Sequence, residues 1–299
     1  MSREDWLSLR RQGIGGSDAA AIAGLNPWKS PIAVWMEKTG QYEPEEPGEA
    51  AYWGNALESL VAEEFARRTG KKTRRKNAIL QHPEHPWMLA NVDRLVVGER
   101  AGLECKTTSA YNSREWDADT GKLPDMYALQ CQHYMAVTGY EWWYMAVLIG
   151  GQRFLNFAVQ RDDELVEQLV RIEREFWQLV EDETPPPMDG SEASADLLNT
   201  LYPDSDGEII YLPEEAAELI DLRDMWAEQE RDAVDRRREA ENKLKEMLGE
   251  HEAGIRGERR VSWKSVTRTS LDSKRLKADK PELYEEYCKE STSRRFSIK

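Results

Sequence analysis

Apolar residues at Leu165, Leu169, Ile172, Phe176 and Leu179 recur at the spacing of one helix face, which predicts a helix over 163–181. Shorter stretches predict helices over 18–23, 30–39, 55–69 and 126–138. Runs rich in β-branched and aromatic residues predict strands over 75–80, 87–97, 102–109, 142–149 and 153–161. Interleaved strands and helices of this kind make a mixed α/β domain. Pro185, Pro186 and Pro187 must end the 163–181 helix, because proline fixes φ and lacks the amide proton. A polar stretch follows to about Gly207. One long charged helix is then expected over 213–249, with a stripe of Leu219, Leu222, Met225 and Trp226 that thins out afterwards. Val261, Trp263 and Val266 suggest a hairpin, and Pro281 can open a short helix. The expected organisation is a core over 1–183, a linker over 184–212, and a long helix with a basic extension over 213–299.

Composition changes this picture in three ways. The 299 residues suffice for a sizeable core, and no apolar run approaches the roughly 20 residues of a membrane span. The opening MSREDW lacks the apolar segment of a signal peptide, so a cytoplasmic protein is expected. Cys105, Cys131 and Cys288 are too few for a disulfide framework or a four-thiolate cluster. The 56 acidic residues against 41 basic ones give a net charge of -15, which at first argues against nucleic acid. The charge is uneven, however. Residues 255–299 carry 13 Lys and Arg against 7 Asp and Glu, and the acidity is concentrated in what precedes them.

The stretch ANVDRLVVGERAGLECKTTS, 90–109, carries the most chemistry. Two extended runs flank the turn residues GERAG, so a hairpin can bring Asp93 near Glu104. Strand side chains alternate, which places Glu104 and Lys106 on one face and Cys105 on the other. Two carboxylates gathered on one sheet surface are costly unless a partner compensates them. A hard divalent cation such as Mg²⁺ would do so through oxygen ligands, with the Cys105 carbonyl as a further donor. Lys106 could then orient a water and stabilise charge on an attacked phosphate. On the 55–69 helix, Leu57, Leu60 and Val61 are expected to pack inward, with Glu58 at the apolar edge. On the 126–138 helix, Gln130 and Gln132 lie roughly 200° apart, so only one can face a given site.

Taken in order, WGNALES, ANVDRL, LECKTTS and LQCQHYMAVTG resemble the PD-(D/E)xK nuclease superfamily, and within it the YqaJ-like and phage lambda-type alkaline exonuclease branch. Val92 stands where that superfamily usually has proline. The resemblance implies a restriction-endonuclease-like core, a central mixed sheet flanked by helices, here with a C-terminal long-helix extension. It implies a metal-dependent 5′-to-3′ exonuclease that resects double-stranded DNA ends to 3′ single strands for recombination by strand annealing. Asp93, Glu104 and the Cys105 carbonyl would hold Mg²⁺, with Mn²⁺ as a substitute, and Glu58 would assist a second metal. Lys106 and, by motif register, Gln132 would complete the catalytic set. A single-strand annealing protein is the implied partner, and a homo-oligomer, as in ring trimers of the lambda type, the implied assembly. An iron–sulfur cluster is excluded by the cysteine count. The alternatives are a structure-specific or single-strand endonuclease of the same fold, and a non-catalytic DNA-binding assembly protein.

At the N-terminus, LRRQGIGGSDAAAIAG supplies a glycine-rich turn, Ser17 as a candidate N-cap, and Arg10 close by. It follows an expected helix over 6–12, so it is not a dinucleotide fingerprint, and it lacks the G-K-[ST] of a Walker loop. The spacing from Trp6 through Arg10 to Ser17 fits the resemblance, which implies that Arg10 and Ser17 hold a 5′-phosphate. Such a grip would direct the enzyme to DNA ends. In the C-terminal extension, Lys264, Arg268, Lys274 and Arg275 are the candidate DNA contacts. His82 and His85 sit in a proline-rich turn and are read as loop residues rather than metal ligands. His133 is read as a core-edge residue. Trp28, Trp35, Trp142, Trp143 and Tyr144 are read as sheet packing, with Trp28 or Trp35 as alternatives for base stacking.

Overall fold

The structure is a computed structural model that describes residues 8–43, 48–76, 78–289 and 293–298. The chain divides into two units, Met1–Leu201 and Tyr202–Lys299. The first contains helices α1 (Gly16–Ile22), α2 (Pro31–Thr39) and α3 (Glu49–Thr69), then strands β1 (Thr73–Arg75), β2 (Leu80–Gln81), β3 (Leu89–Ala90), β4 (Arg94–Val96) and β5 (Ala101–Thr108). After a 3₁₀ turn over Ala110–Glu115 come α4 (Asp125–Thr138), β6 (Trp142–Ile149), β7 (Arg153–Gln160), α5 (Asp163–Glu181) and α6 (Glu192–Leu201).

Five strands form one mixed sheet in the order β1-β4-β5-β6-β7. Only the β5–β6 pair is parallel, with α4 in its crossover; the other neighbours run antiparallel. Alternation along β6 feeds both faces. Trp143, Met145 and Val147 enter the core beneath α4, while Ala146 faces Val61, Ala62 and Phe65 of α3. Gly102 is required in β5, because a Cβ there would sit 2.2 Å from the Trp143 ring. A third cluster joins α1, α2 and α5 through Ile14, Ile22, Val34, Trp35 and Phe176. No helix among the described residues is long and apolar enough to cross a membrane.

The predicted 163–181 helix and 142–149 strand are found with those bounds. The expected 75–80 strand, which includes residue 77 outside the described set, splits into β1 and β2; the expected 87–97 strand splits into β3 and β4. Within 184–212, α6 packs Ala193 and Leu197 into the first unit, so that unit ends at Leu201 rather than at 183. On α3 the inward residues are Val61, Ala62 and Phe65, whereas Leu60 is 54 % exposed.

The second unit holds α7 (Glu215–Leu248), the hairpin β8 (Ala253–Arg256) and β9 (Arg259–Ser262), and two short helices, α8 (Ser273–Asp279) and α9 (Pro281–Glu286). Val261 is in the hairpin, and Trp263 and Val266 lie beyond it. Lys264, Arg268, Lys274 and Arg275 are all exposed there; Lys264 lies 3.7 Å from Glu252, and Arg275 pairs with Asp279 at 3.2 Å.

Candidate functional site

A cavity of about 240 Å³ opens where the glycine-rich loop, the sheet and α4 meet. The loop contributes Arg10, Gly13, Gly15, Gly16 and Ser17, the sheet side contributes Leu89, Asn91, Asp93, Glu104 and Lys106, and α4 contributes Gln130 and Tyr134. Close backbone approach explains two of the glycines. A Cβ on Gly13 would meet the Trp87 carbonyl at 2.4 Å, and one on Gly16 would meet the Tyr134 ring at 2.5 Å.

The β4–β5 register pairs Arg94 with Leu103, so Asp93 leaves β4 beside Glu104 and Cys105. Its Oδ2 accepts the Cys105 N–H at 2.8 Å. Glu104 Oε1 accepts from Lys106 Nζ at 2.6 Å and from Gln130 Nε2 at 2.8 Å. Lys106 Nζ also lies 5.0 Å from the centre of the Tyr127 ring. Glu104 is 4 % exposed, and its Oε2 is buried without a hydrogen-bond partner. Burial, and then the charge of Glu104, push the Asp93 carboxyl up to about 8, against the opposing Cys105 amide. Lys106 is raised too: burial disfavours its charge, but Glu104 outweighs that through charge and hydrogen bond. Burial pushes the Cys105 thiol up, so it stays protonated and only its main chain can serve as a hard ligand.

These residues fit a hard divalent cation. The donors are carboxylate oxygens, one of them orphaned and buried, and the high Asp93 pKa reflects burial and the neighbouring Glu104 charge, which Lys106 offsets only in part. Among the described residues, no group of three His, Cys, Asp or Glu side chains could hold a metal ion, so main-chain or solvent oxygen must complete the set.

Glu58 is half-buried, as expected, and near enough to Asp93 for its charge to raise that carboxyl. It forms an ion pair with Arg94, and Arg94 also donates to the Asp93 carbonyl at 2.8 Å. Gln132, chosen by register, does not line the cavity. Its Nε2 donates to the Gln160 carbonyl and its Oε1 accepts the Asp162 N–H, which ties α4 to the start of α5. Gln130 faces the cavity instead, supported by Tyr134, whose hydroxyl it reaches at 2.7 Å and which donates to the Asn91 carbonyl. Gln130 and Tyr134 share a helix face at four-residue spacing, a signal the sequence carried.

At the loop, Ser17 lines the cavity but does not cap α1; Gly15 is the N-cap, and its N–H donates to Asp18 Oδ2 at 3.2 Å. Trp6 lies outside the described residues, as does part of the expected 6–12 helix. Asp18 is fully buried and unforeseen. It bonds Arg10 at 2.9 Å, Lys29 at 3.2 Å and Lys38 at 2.6 Å, and Lys38 also donates to the Arg10 carbonyl at 2.8 Å. Burial works to raise the Asp18 carboxyl, but Lys38, Lys29 and Arg10 hold it well below the usual range.

The remaining candidates lie outside the cavity lining. His133 is fully buried between Glu173, at 2.8 Å, and the Leu89 carbonyl, at 2.9 Å. His82 and His85 stack on each other in their turn, with ring centres 4.7 Å apart. Trp35 and Trp143 are buried, Tyr144 is half-buried, and Trp142 is partly exposed. Trp28 is 67 % exposed and packs no sheet.

The YqaJ-like viral recombinase domain model matches residues 5–141. Over 304 aligned residues the chain is 45% identical to the Uncharacterized protein YqaJ of Bacillus subtilis (strain 168), across 100% of this chain and 95% of that protein. A stretch of 55 residues is 36% identical to Protein D345L of African swine fever virus, covering 18% of this chain and 16% of that protein. Among solved structures, the fold is similar to the alkaline exonuclease LHK-Exo from Laribacter hongkongensis, with a TM-score of 0.52 and 21% identity over 60% of this chain and 94% of that one. LHK-Exo in complex with dAMP superposes with a TM-score of 0.52 and 20% identity, over 66% of this chain and 97% of that one.

Proposed function

The chain belongs to the YqaJ-like viral recombinase family, and we propose that it is a metal-dependent 5′-to-3′ exonuclease acting on double-stranded DNA ends. The observation that carries this reading is the pairing of Asp93 and Glu104 beside Lys106 on one wall of a cavity whose other wall holds Arg10. The fold shared with LHK-Exo, which has been crystallised with dAMP, supports a nucleotide-sized site of this kind.

Asp93, Glu104 and the Cys105 carbonyl would hold Mg²⁺ or Mn²⁺, which when bound supplies Lewis acidity and offsets negative charge on the phosphate. Lys106, held by Glu104, would orient the attacking water and stabilise charge on the phosphate oxygens. Gln130 would fix the Glu104 carboxylate by spending its amide on Oε1. Arg10 and Ser17 would take the terminal 5′-phosphate, which selects ends over internal sites. Glu58 would join a second metal only on release from Arg94. Lys264, Arg268, Lys274 and Arg275 would add phosphate contacts from the second unit, and resection would hand a 3′ strand to an annealing partner, in a homo-oligomer.

The test compares labelled linear duplex carrying 5′-phosphate or 5′-hydroxyl ends with a closed circle, each with Mg²⁺. Digestion of the linear forms alone, faster from the phosphate, is expected. Equal attack on the circle would favour an endonuclease.

A further inference from the structure

Seven of the ten residues over 67–76, RRTGKKTRRK, are cationic in a chain of net charge -15. They end α3 and form β1, the edge strand of the sheet. Some are neutralised locally: Arg67 and Arg68 pair with Glu64, and Lys71 with Glu99. Among the described residues, no carboxylate pairs with Lys72, Arg74 or Arg75.

Register then sharpens the imbalance. Arg75 lies directly across from Arg94 in the β1–β4 ladder, a placement of like charges that costs stability by itself. Both guanidinium groups converge on one neutral oxygen, Ser59 Oγ of α3; Arg94 reaches it at 3.3 Å and Arg75 also donates to it. Ser59, Lys72, Arg75 and Arg94 line a groove of 530 Å³ between α3 and β1; among the described residues its lining holds one acid, the exposed Glu63, and Glu58 compensates Arg94 from outside the lining, which leaves Lys72 and Arg75 as its unpaired cations. Lysine and arginine on an edge strand also discourage sheet-to-sheet pairing. That role requires neither a groove nor two guanidinium groups aimed at one hydroxyl. The Arg75 guanidinium and the Lys72 ammonium, neither held by a carboxylate among the described residues, match the oxygens of a phosphodiester.

The groove adjoins the candidate catalytic centre. Arg94 directly follows Asp93 and donates to its carbonyl, and beyond β1 the chain reaches Ile79 in the cavity wall. We propose that this groove binds the sugar–phosphate backbone of the DNA strand outside the cavity, as a phosphate site separate from Arg10. The assignment rests on the nuclease reading above, and names where the substrate runs.

The test reads the salt dependence of kcat/KM for digestion of linear duplex DNA with Mg²⁺. The double variant Lys72→Gln, Arg75→Gln is compared with Arg171→Gln, Arg174→Gln, which removes the same charge from α5, on a helix that packs on α1, α2 and α4. The groove variant should lose on the order of tenfold in kcat/KM, through KM, and its salt slope should fall by about two, near one for each phosphate contact. Each single variant should carry about half of that change. The α5 variant should keep the wild-type slope. An unchanged slope in the groove variant, or an equal fall in both, overturns the assignment while wild-type digestion leaves the nuclease reading intact. A wild type that digests no DNA overturns both.

Discussion

Gln130 Nε2 donates to Glu104 Oε1 at 2.8 Å, while Gln132, two residues on, is bonded to the Gln160 carbonyl. The two glutamines therefore do different work, one orienting a site carboxylate and the other tying α4 to α5. Gln130→Leu should lower kcat on linear duplex by about 10- to 100-fold with a small change in melting temperature. Gln132→Leu should break the bonds to the Asp162 N–H and the Gln160 carbonyl and cost about 0.5–1.5 kcal/mol for each, measured by urea unfolding.

Asp18 holds Arg10 through one oxygen and Lys38 through the other, and Lys38 in turn holds the Arg10 carbonyl. Asp18→Asn should reduce the preference for 5′-phosphate over 5′-hydroxyl ends by about tenfold, a ratio of rates that a general loss of folded protein would not alter. Breaking this buried ion cluster should also cost about 3–5 kcal/mol at neutral pH. Because the Asp18 pKa is depressed in the folded state, its stabilisation is present above the unfolded value of 3.8 and is lost as pH falls below it. The penalty of Asp18→Asn should therefore shrink in acid.

The Asp93 shift has the opposite sign. With its pKa at about 8 against an ordinary 3.8, the folded metal-free protein keeps a proton that the unfolded chain releases. Metal-free stability should then fall as pH rises from about 4 to about 8. Asp93→Asn should melt above the wild type at pH 8, by about 2–4 °C for each kcal/mol relieved, and the gap should close toward pH 4. Mg²⁺ should raise the wild-type melting temperature and leave Asp93→Asn unmoved.

The hairpin that joins Asp93 to Glu104 was legible in the sequence because turn residues and two-residue alternation fix a register. The break between β3 and β4 was not. Residues 91–93 leave the ladder where the Asn91 carbonyl takes Tyr134 and the Asp93 side chain takes Cys105, so local strand preference yields to the site. The facing of α4 was hidden for another reason. Leu129 to Val137 are all buried, so apolar periodicity points to no single side. The Asp18–Lys38 pair spans two helices and depends on packing that no local pattern encodes. The polar look of 184–212 concealed α6, whose Ala193 and Leu197 anchor it to the first unit.

The central claim is that Lys106, fixed by Glu104 at 2.6 Å, serves phosphodiester hydrolysis in this cavity. The most direct measurement is the initial rate at which wild type and Lys106→Ala digest 5′-labelled linear duplex DNA in Mg²⁺, at matched folded concentration. The account predicts robust wild-type digestion and a loss of about 100-fold or more in the variant, the scale of removing a group that acts in the transition state. A variant that digests the duplex as fast as the wild type would contradict it.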